Sequence, residues 1–230
     1  MERHFEIKID ELKRQLLHMS GLSERIIRKA LESLVRRNAA LAEEVFANDR
    51  EIDRLEIEVE ERSIELLALQ QPLASDLRFI TSAIKISNDL ERIGDHAVNI
   101  AGCAKTLVGL APVRPLGDLP QLAEGAIGML REALDAFVRR DAEAARRLVR
   151  RDDEVDTLNR QLFGELLSRM VRNPSEIEAC MTLVLVGRNL ERIGDLATNI
   201  AEEVVFIAEA RVIKHHAEDA AAGRDEFGRS

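Results

Sequence analysis

The sequence of 230 residues has no tryptophan and no tyrosine, and aromatic side chains make up only 3% of it. A core must then be built from Leu, Ile, Val and Ala, which suits long helices better than a β-sandwich. Cysteine is nearly absent too. Cys103 and Cys180 have neither CxxC spacing nor a neighbouring histidine, which excludes a disulfide framework and a zinc site and reads as buried thiols in a reducing compartment. No apolar run approaches the length that spans a bilayer, so no membrane insertion is expected. Met1 to Leu12 is charged and lacks the apolar centre of a signal peptide, so a soluble cytoplasmic protein is expected. Positive charge is also short. With a net charge of -9 the chain lacks the basic field of a nucleic-acid binder, and the balance favours cationic partners or metal ions.

What is present is helical periodicity. Hydrophobic residues make up 46% and charged residues 33%. Leu12, Leu16, Met19, Leu22, Ile26 and Ala30 recur at three- and four-residue steps, as do Ile52, Leu55, Val59 and Leu66. Three of the five prolines, Pro112, Pro115 and Pro120, fall with Gly109 and Gly117 in one short segment, which reads as a linker between two halves. Pro72 and Pro174 each separate two long helical stretches.

Those prolines also mark an internal repeat. Ala30 to Asn38 (ALESLVRRN) matches Ala133 to Asp141 (ALDAFVRRD), and the register continues to Asp49, Glu51 and Asp53 opposite Asp152, Glu154 and Asp156. Leu90 to Ala101 (LERIGDHAVNIA) and Leu190 to Ala201 (LERIGDLATNIA) are identical at ten of twelve positions. The expected fold is all-α: two tandem, pseudo-symmetric three-helix bundles, the first over 1–108, a linker over 109–120, the second over 121–213 and a frayed tail over 214–230. Helices are predicted near 7–46, 50–70 and 74–107, then 121–149, 153–171 and 175–212.

The repeated segments carry the candidate site residues. Glu91 and Asp95 lie one helical turn apart, and Asn99 extends the row by another. At about 100° per residue, Glu91 projects within roughly 20° of Ile84 and Val98, inside the apolar arc, where a carboxylate is costly without a cation or donors. Lys85 and Arg92 project to the polar side. Glu191, Asp195 and Asn199 repeat the row. Asp49 with Asp53, and Asp152 with Asp156, open the middle helices, and an antiparallel neighbour would bring each pair near a Glu/Asp row. Oxygen-only clusters of this kind favour divalent cations such as Mg2+, Ca2+ or Mn2+, and carboxylates also accept iron. The competing reading, an acidic face paired with basic residues of neighbouring helices, stands beside it. Gly94 and Gly194 each cost a helix about 1 kcal/mol relative to Ala, which close helix approach offsets.

Other residues offer less. His96 faces Leu196 in the repeat and reads as a surface imidazole. The basic run Arg139, Arg140, Arg146, Arg147, Arg150 and Arg151 reads as a solvated face, with a docking patch for an acidic partner as the alternative. His215 and His216 carry no recognisable chemistry. No histidine stands three residues after a glutamate, which removes the usual ligand pattern of a di-metal carboxylate bundle. There is no Gly-rich phosphate loop and no activated nucleophile, so no enzyme is expected.

Taken with Gln71 to Arg78 (QPLASDLR) and the two LERIGD segments, the chain resembles the PhoU family of phosphate-specific transport accessory proteins from about residue 5 to 212. The resemblance implies tandem three-helix bundles, often as a homodimer. It also implies a cytoplasmic negative regulator of phosphate uptake and the phosphate-starvation response. The implied partners are the ATP-binding subunit of the phosphate ABC transporter and a sensor histidine kinase. Metal ions on the ExxxD rows are implied as well, at Asp49, Asp53, Glu91, Asp95 and Asn99 and at Asp152, Asp156, Glu191, Asp195 and Asn199. The second half departs from the pattern, reading Pro174-Ser175-Glu176-Ile177-Glu178 where the first reads Pro-Leu-Ala-Ser-Asp, which argues against equal function of the two sites. A metal-free helical adaptor is the alternative.

Overall fold

The computed structural model describes residues 2–70 and 72–213, the side chains of 2–4 and 70 excepted. The frayed tail expected over 214–230, with His215 and His216, lies outside the described residues. Among these residues the chain forms helices and connecting turns, with no strand. The first half is α1 (Glu2–Arg36), α2 (Ala39–Gln70) and α3 (Ala74–Val108). The second is α4 (Leu119–Arg139), α5 (Ala142–Val149), α6 (Asp152–Arg172) and α7 (Ile177–Glu209), with a 3-10 turn at Pro174–Glu176.

Each half packs its helices as neighbours, and α3 and α7 pack along each other at the centre of the molecule. All ten apolar positions picked out by periodicity in α1 and α2 are buried, from Leu12 to Leu66. Period and burial agree because each helix is long enough to hold one face against its neighbours over several turns.

The first predicted helix boundary is wrong in an instructive way. The chain does not run helical to residue 46; it breaks at Arg37-Asn38, and α2 then runs unbroken through Asp49. Arg37 is left-handed (φ 53), as is its repeat partner Arg140 (φ 52). The amide of Asn38 reaches back to the Ser33 carbonyl (2.9 Å) and that of Asp141 to the Ala136 carbonyl (3.0 Å), closing the helix ends. Asn38 Oδ1 then accepts from the Ala40 amide (3.0 Å), and Asp141 caps α5 by accepting from the Ala144 amide (2.9 Å). The repeated Arg-Arg-Asn/Asp is therefore a stop-and-start signal, hidden because Arg continues a helix as readily as it ends one. In the second half a further break at Arg150-Arg151 divides the counterpart of α2 into α5 and α6.

The connection between the halves is held, not loose. Val113 is buried in it, Arg37 donates to the carbonyls of Val108 (3.2 Å) and Leu110, and Arg169 donates to the Arg114 carbonyl (3.0 Å). The Arg114-Pro115 peptide is cis.

Polar contacts pin one half to the other. Glu203 on α7 is 3% exposed and accepts from Ser82 Oγ (2.8 Å) and Lys85 Nζ (3.0 Å) of α3. Lys85 thus faces α7, where the helical projection had left it on a solvated side. His96 is half-buried rather than a surface imidazole: its Nδ1 lies 2.9 Å from Asn189 Oδ1, because α7 covers that face of α3. The basic run is not one patch either. Arg146 is 14% exposed and pairs with Glu209 through two bonds of 2.7 Å, and Arg151 pairs with Glu132. Cys180 is buried and Cys103 half-buried, both as free thiols.

The cap at Asp141 generates a prediction. Asp141→Ala should lower unfolding stability by about 1 kcal/mol, while Asp135→Ala, at an exposed helix position, should change it by less than about 0.5 kcal/mol. Urea unfolding of the two variants checks this; equal losses would contradict the capping role.

Candidate functional site

The N-terminal part of α2 lies against the middle of α3, and this brings Asp49 and Asp53 to Glu91 and Asp95, as the spacing predicted. The contact is closest at Gly94. A Cβ there would stand 2.6 Å from Asp49 Oδ1 and 3.4 Å from Ile52 Cδ1, so any larger residue would displace the carboxylate. Asp49 Oδ1 is buried and has no hydrogen-bond partner. Burial, then the neighbouring Asp53 and Asp95, push its carboxyl up to about 6 from 3.8.

The rest of the cluster feels the same pressure. Glu91 is raised by burial first, then by Asp95, Asp53, Glu56 and Asp49. Asp53 is raised by burial and Asp95. Glu56, raised by burial, Glu60 and Asp53, belongs to the cluster although sequence reasoning did not select it. Its signal was present: Asp53, Glu56 and Glu60 recur at steps of three and four on one face of α2. The shifts at Asp49, Asp53 and Glu91 come from burial and from carboxylates alone, without relief from a basic side chain.

The second half repeats the skeleton with different chemistry. Asp156 on α6 and Glu191 and Asp195 on α7 can each place an oxygen within 4.8 Å of the others. Asp152 is pushed up to about 6 by burial, Asp195 and Asp156, against a hydrogen bond donated by Thr198 Oγ1 (3.3 Å). Thr198 stands where the first half has Val98, so Asp152 has a donor that Asp49 lacks. Here protein cations also enter. Arg192 donates to Asp195 Oδ2 at 2.8 Å, and Arg188 and Arg192 both hold down the rise at Glu191 that burial and Asp195 cause. Asp195 is itself raised by burial, against Arg192. Among the described residues the first-half carboxylates thus have no basic partner, and the second-half ones are partly paired with arginine.

The two asparagines of the rows differ in setting. Asn99 is exposed, and Asn199 lines a cavity of about 420 Å3 together with Glu56, Lys85, Asp89 and Arg92 between the halves. Asn199 thus shares a lining with Glu56 of the first-half cluster and not with Glu191 or Asp195.

Chemically, the first cluster is a set of hard oxygen donors, half-buried at Asp49, Glu56 and Glu91 and exposed at Asp53 and Asp95, whose mutual repulsion a bound cation would relieve. The orphaned Asp49 Oδ1, set in the space left by Gly94, fits that use. Among the described residues, however, three ligand oxygens come within 4.8 Å of one another only in the second-half trio Asp156, Glu191 and Asp195; the first-half carboxylates are coupled electrostatically.

A model of the PhoU domain matches residues 16–104 and 119–204. The chain is similar to the phosphate-specific transport system accessory protein PhoU homolog of Zymomonas mobilis, at 40% identity over 89% of this chain and 86% of the relative. It is likewise similar to the homolog of Rhizobium meliloti, at 38% identity over 89% and 86%. Among solved structures, PhoU of Pseudomonas aeruginosa superposes with a TM-score of 0.85 at 35% identity, over 90% of this chain and 100% of that one. The phosphate transport system regulatory protein PhoU of Streptococcus pneumoniae gives 0.82 at 27% identity, over 91% and 99%.

The raised carboxyls set a pH dependence for the cation-free protein. Asp49 and Asp152 hold protons up to about 6 when folded but release them near 3.8 when unfolded. Between those values the folded state binds more protons, so their contribution to stability is largest below the window and is lost as pH rises through it. Asp49→Asn should therefore flatten the decline measured by urea unfolding in chelator between about pH 4.5 and pH 7, and be the more stable protein at the upper end. Parallel pH profiles for wild type and variant would contradict the assignment.

Proposed function

The chain belongs to the PhoU family, and on that premise we propose that it is an accessory regulator of phosphate transport that binds metal ions at its acidic clusters. The observation that carries the regulatory reading is the family match over both halves, supported by similarity to relatives named as phosphate-specific transport system accessory proteins. The finer reading is that it lowers phosphate uptake and the starvation response when phosphate is plentiful. It would act in the cytoplasm, as a homodimer, on the ATP-binding subunit of the transporter and on the sensor kinase. No helix among the described residues is long and apolar enough to cross a membrane, so contact with the transporter would be made from outside the bilayer. This role needs no chemical step, and none is assigned.

The oxygens converge within 4.8 Å in the second half, while the electrostatic support for a cation is greatest in the first. There a buried carboxylate oxygen lacks a donor, and the cluster's shifts arise without a basic neighbour. A divalent or iron-type cation would supply the missing positive charge and draw the acids to their ionised form. In the second half Arg192 already neutralises part of Asp195. That observation favours the metal-free adaptor reading for this site, with the protein's own arginine in the cation's place.

Two experiments test the proposal. A pull-down at high phosphate with the transporter's ATP-binding subunit and the sensor kinase should recover at least one of them; recovery of neither would end the regulatory reading. Elemental analysis and Mn2+ titration should show a site that Glu91→Ala/Asp95→Ala loses, with affinity reduced at least about 100-fold by removal of two ligands. Unchanged metal content in the double variant would remove the first-half assignment.

A further inference from the structure

The two halves carry pseudo-equivalent cavities whose charge has been reversed. The first half's cavity, about 420 Å3 and closed by α7, is lined by Glu56, Glu60 and Asp89 of the first half and Glu203 of α7 against Lys85 and Arg92. In the second, a cavity of about 530 Å3 is lined by Arg160, Arg188 and Arg192 against the single carboxylate Glu191, with Asn159, Leu162, Phe163 and Val184. By repeat register Glu56 has become Asn159, Ile57 Arg160, Glu60 Phe163 and Asn88 Arg188, while Arg92 is retained as Arg192. Each of the four changes either removes negative charge or adds positive charge.

We propose that the Arg160/Arg188/Arg192 cavity of the second half binds a phosphoryl group, either as free phosphate or as part of a phosphorylated small molecule. The arginines are available for it. Arg160 is bonded to neutral acceptors, the Asp156 carbonyl (3.3 Å) and the Thr157 hydroxyl (3.0 Å), so its charge is not cancelled there. Arg188 is exposed and makes no hydrogen bond or ion pair among the described residues. Arg192 spends one nitrogen on Asp195 and keeps the rest of its donor fork. Guanidinium groups suit a phosphoryl group because their planar donors match its oxygens in pairs.

The cavity is also shaped by its sequence. A Cβ at Gly187 would stand 2.8 Å from Asn159 Oδ1 and 2.9 Å from Leu162 Cδ2, so glycine lets α6 lie close enough to form the floor. The volume is in the range of small-molecule sites and exceeds what a lone phosphate fills. Phe163, 50% exposed at its rim, offers an apolar face to an organic portion. Glu191 lines the cavity and also belongs to the acidic trio with Asp156 and Asp195. The phosphoryl group would therefore sit beside the second-half acidic row.

This inference does not rest on the transport reading, since the same arginines would bind the same group in any helical adaptor. Calorimetric titration of the full chain in chelator with inorganic phosphate, ADP and adenosine tests it. Binding of ADP well above phosphate, with adenosine inert, identifies a phosphorylated small molecule; equal binding of ADP and phosphate identifies free phosphate. In either case Arg188→Gln should weaken binding about tenfold or more, as loss of a charged hydrogen bond does, and Arg92→Gln in the first half should leave it unchanged. Circular dichroism melts establish that the variants fold. No binding of either phosphorylated probe, equal binding of adenosine, or indifference to Arg188→Gln would each overturn the proposal.

Discussion

A carboxylate that is half-buried with no donor on one of its oxygens constrains the rest of this molecule. Asp49 is held there because α2 and α3 meet at a glycine, and they meet closely because Ile26 and Ile52 pack into the same contact. Burying a charge without compensation is unfavourable by more than most single contacts return, so the surrounding helices must be fixed by other means. They are, by a continuous apolar core that runs through both halves. The acidic cluster can be tolerated because stability is supplied elsewhere, which is the usual arrangement at a functional site.

The inter-half contacts show how a duplication became one body. If the halves had stayed equivalent, each pin would appear twice. Instead Ser82 and Lys85 meet Glu203, while the reciprocal positions hold Thr182, Leu185 and Cys103. His96 meets Asn189, while the reciprocal positions hold Leu196 and Asp89. A pin present on one side only fixes which half is which, and it frees the other side to diverge. Stacking of Phe79 on Phe137, 6.0 Å between ring centres, adds an apolar lock between α3 and α4.

Most of the fold was legible because long amphipathic helices write their buried face as a period, and the repeat supplied a second copy of each signal. The Arg37 and Arg140 breaks escaped because no glycine or proline marks them; the left-handed turn is imposed on arginine by the cap that follows. Asp49, Asp53, Glu91 and Asp95 were legible as neighbours since helical spacing and an antiparallel neighbour suffice to gather them. Glu56 was missed, although its spacing along α2 was regular, because its membership depends on the relative height of α2 and α3. Asn199 lines the cavity shared with the first half, a placement set by the packing of α3 on α7 and carried by no local spacing. The divided fate of the two sites turned on Arg192 and Thr198, whose contacts are tertiary and carry no mark in the local sequence.

The reversal of charge between the two cavities follows from the same logic. A bundle tolerates changes on its half-exposed faces as long as the apolar stripes keep their register, and the stripes of α2 and α3 are matched by those of α6 and α7. Selection is then free to act on the residues between the stripes. In the first half those residues concentrate carboxylates around Asp49 and Glu56; in the second they concentrate guanidinium groups around Glu191. Because Glu191 belongs both to its acidic row and to the basic cavity, charge placed in either one alters the field in the other. In the first half the shared residue is Glu56, which belongs to the acidic cluster and also lines the cavity. Charge at an acidic row and charge at the neighbouring cavity are therefore linked in both copies of the repeat, and α3 packed on α7 puts the two copies in direct contact.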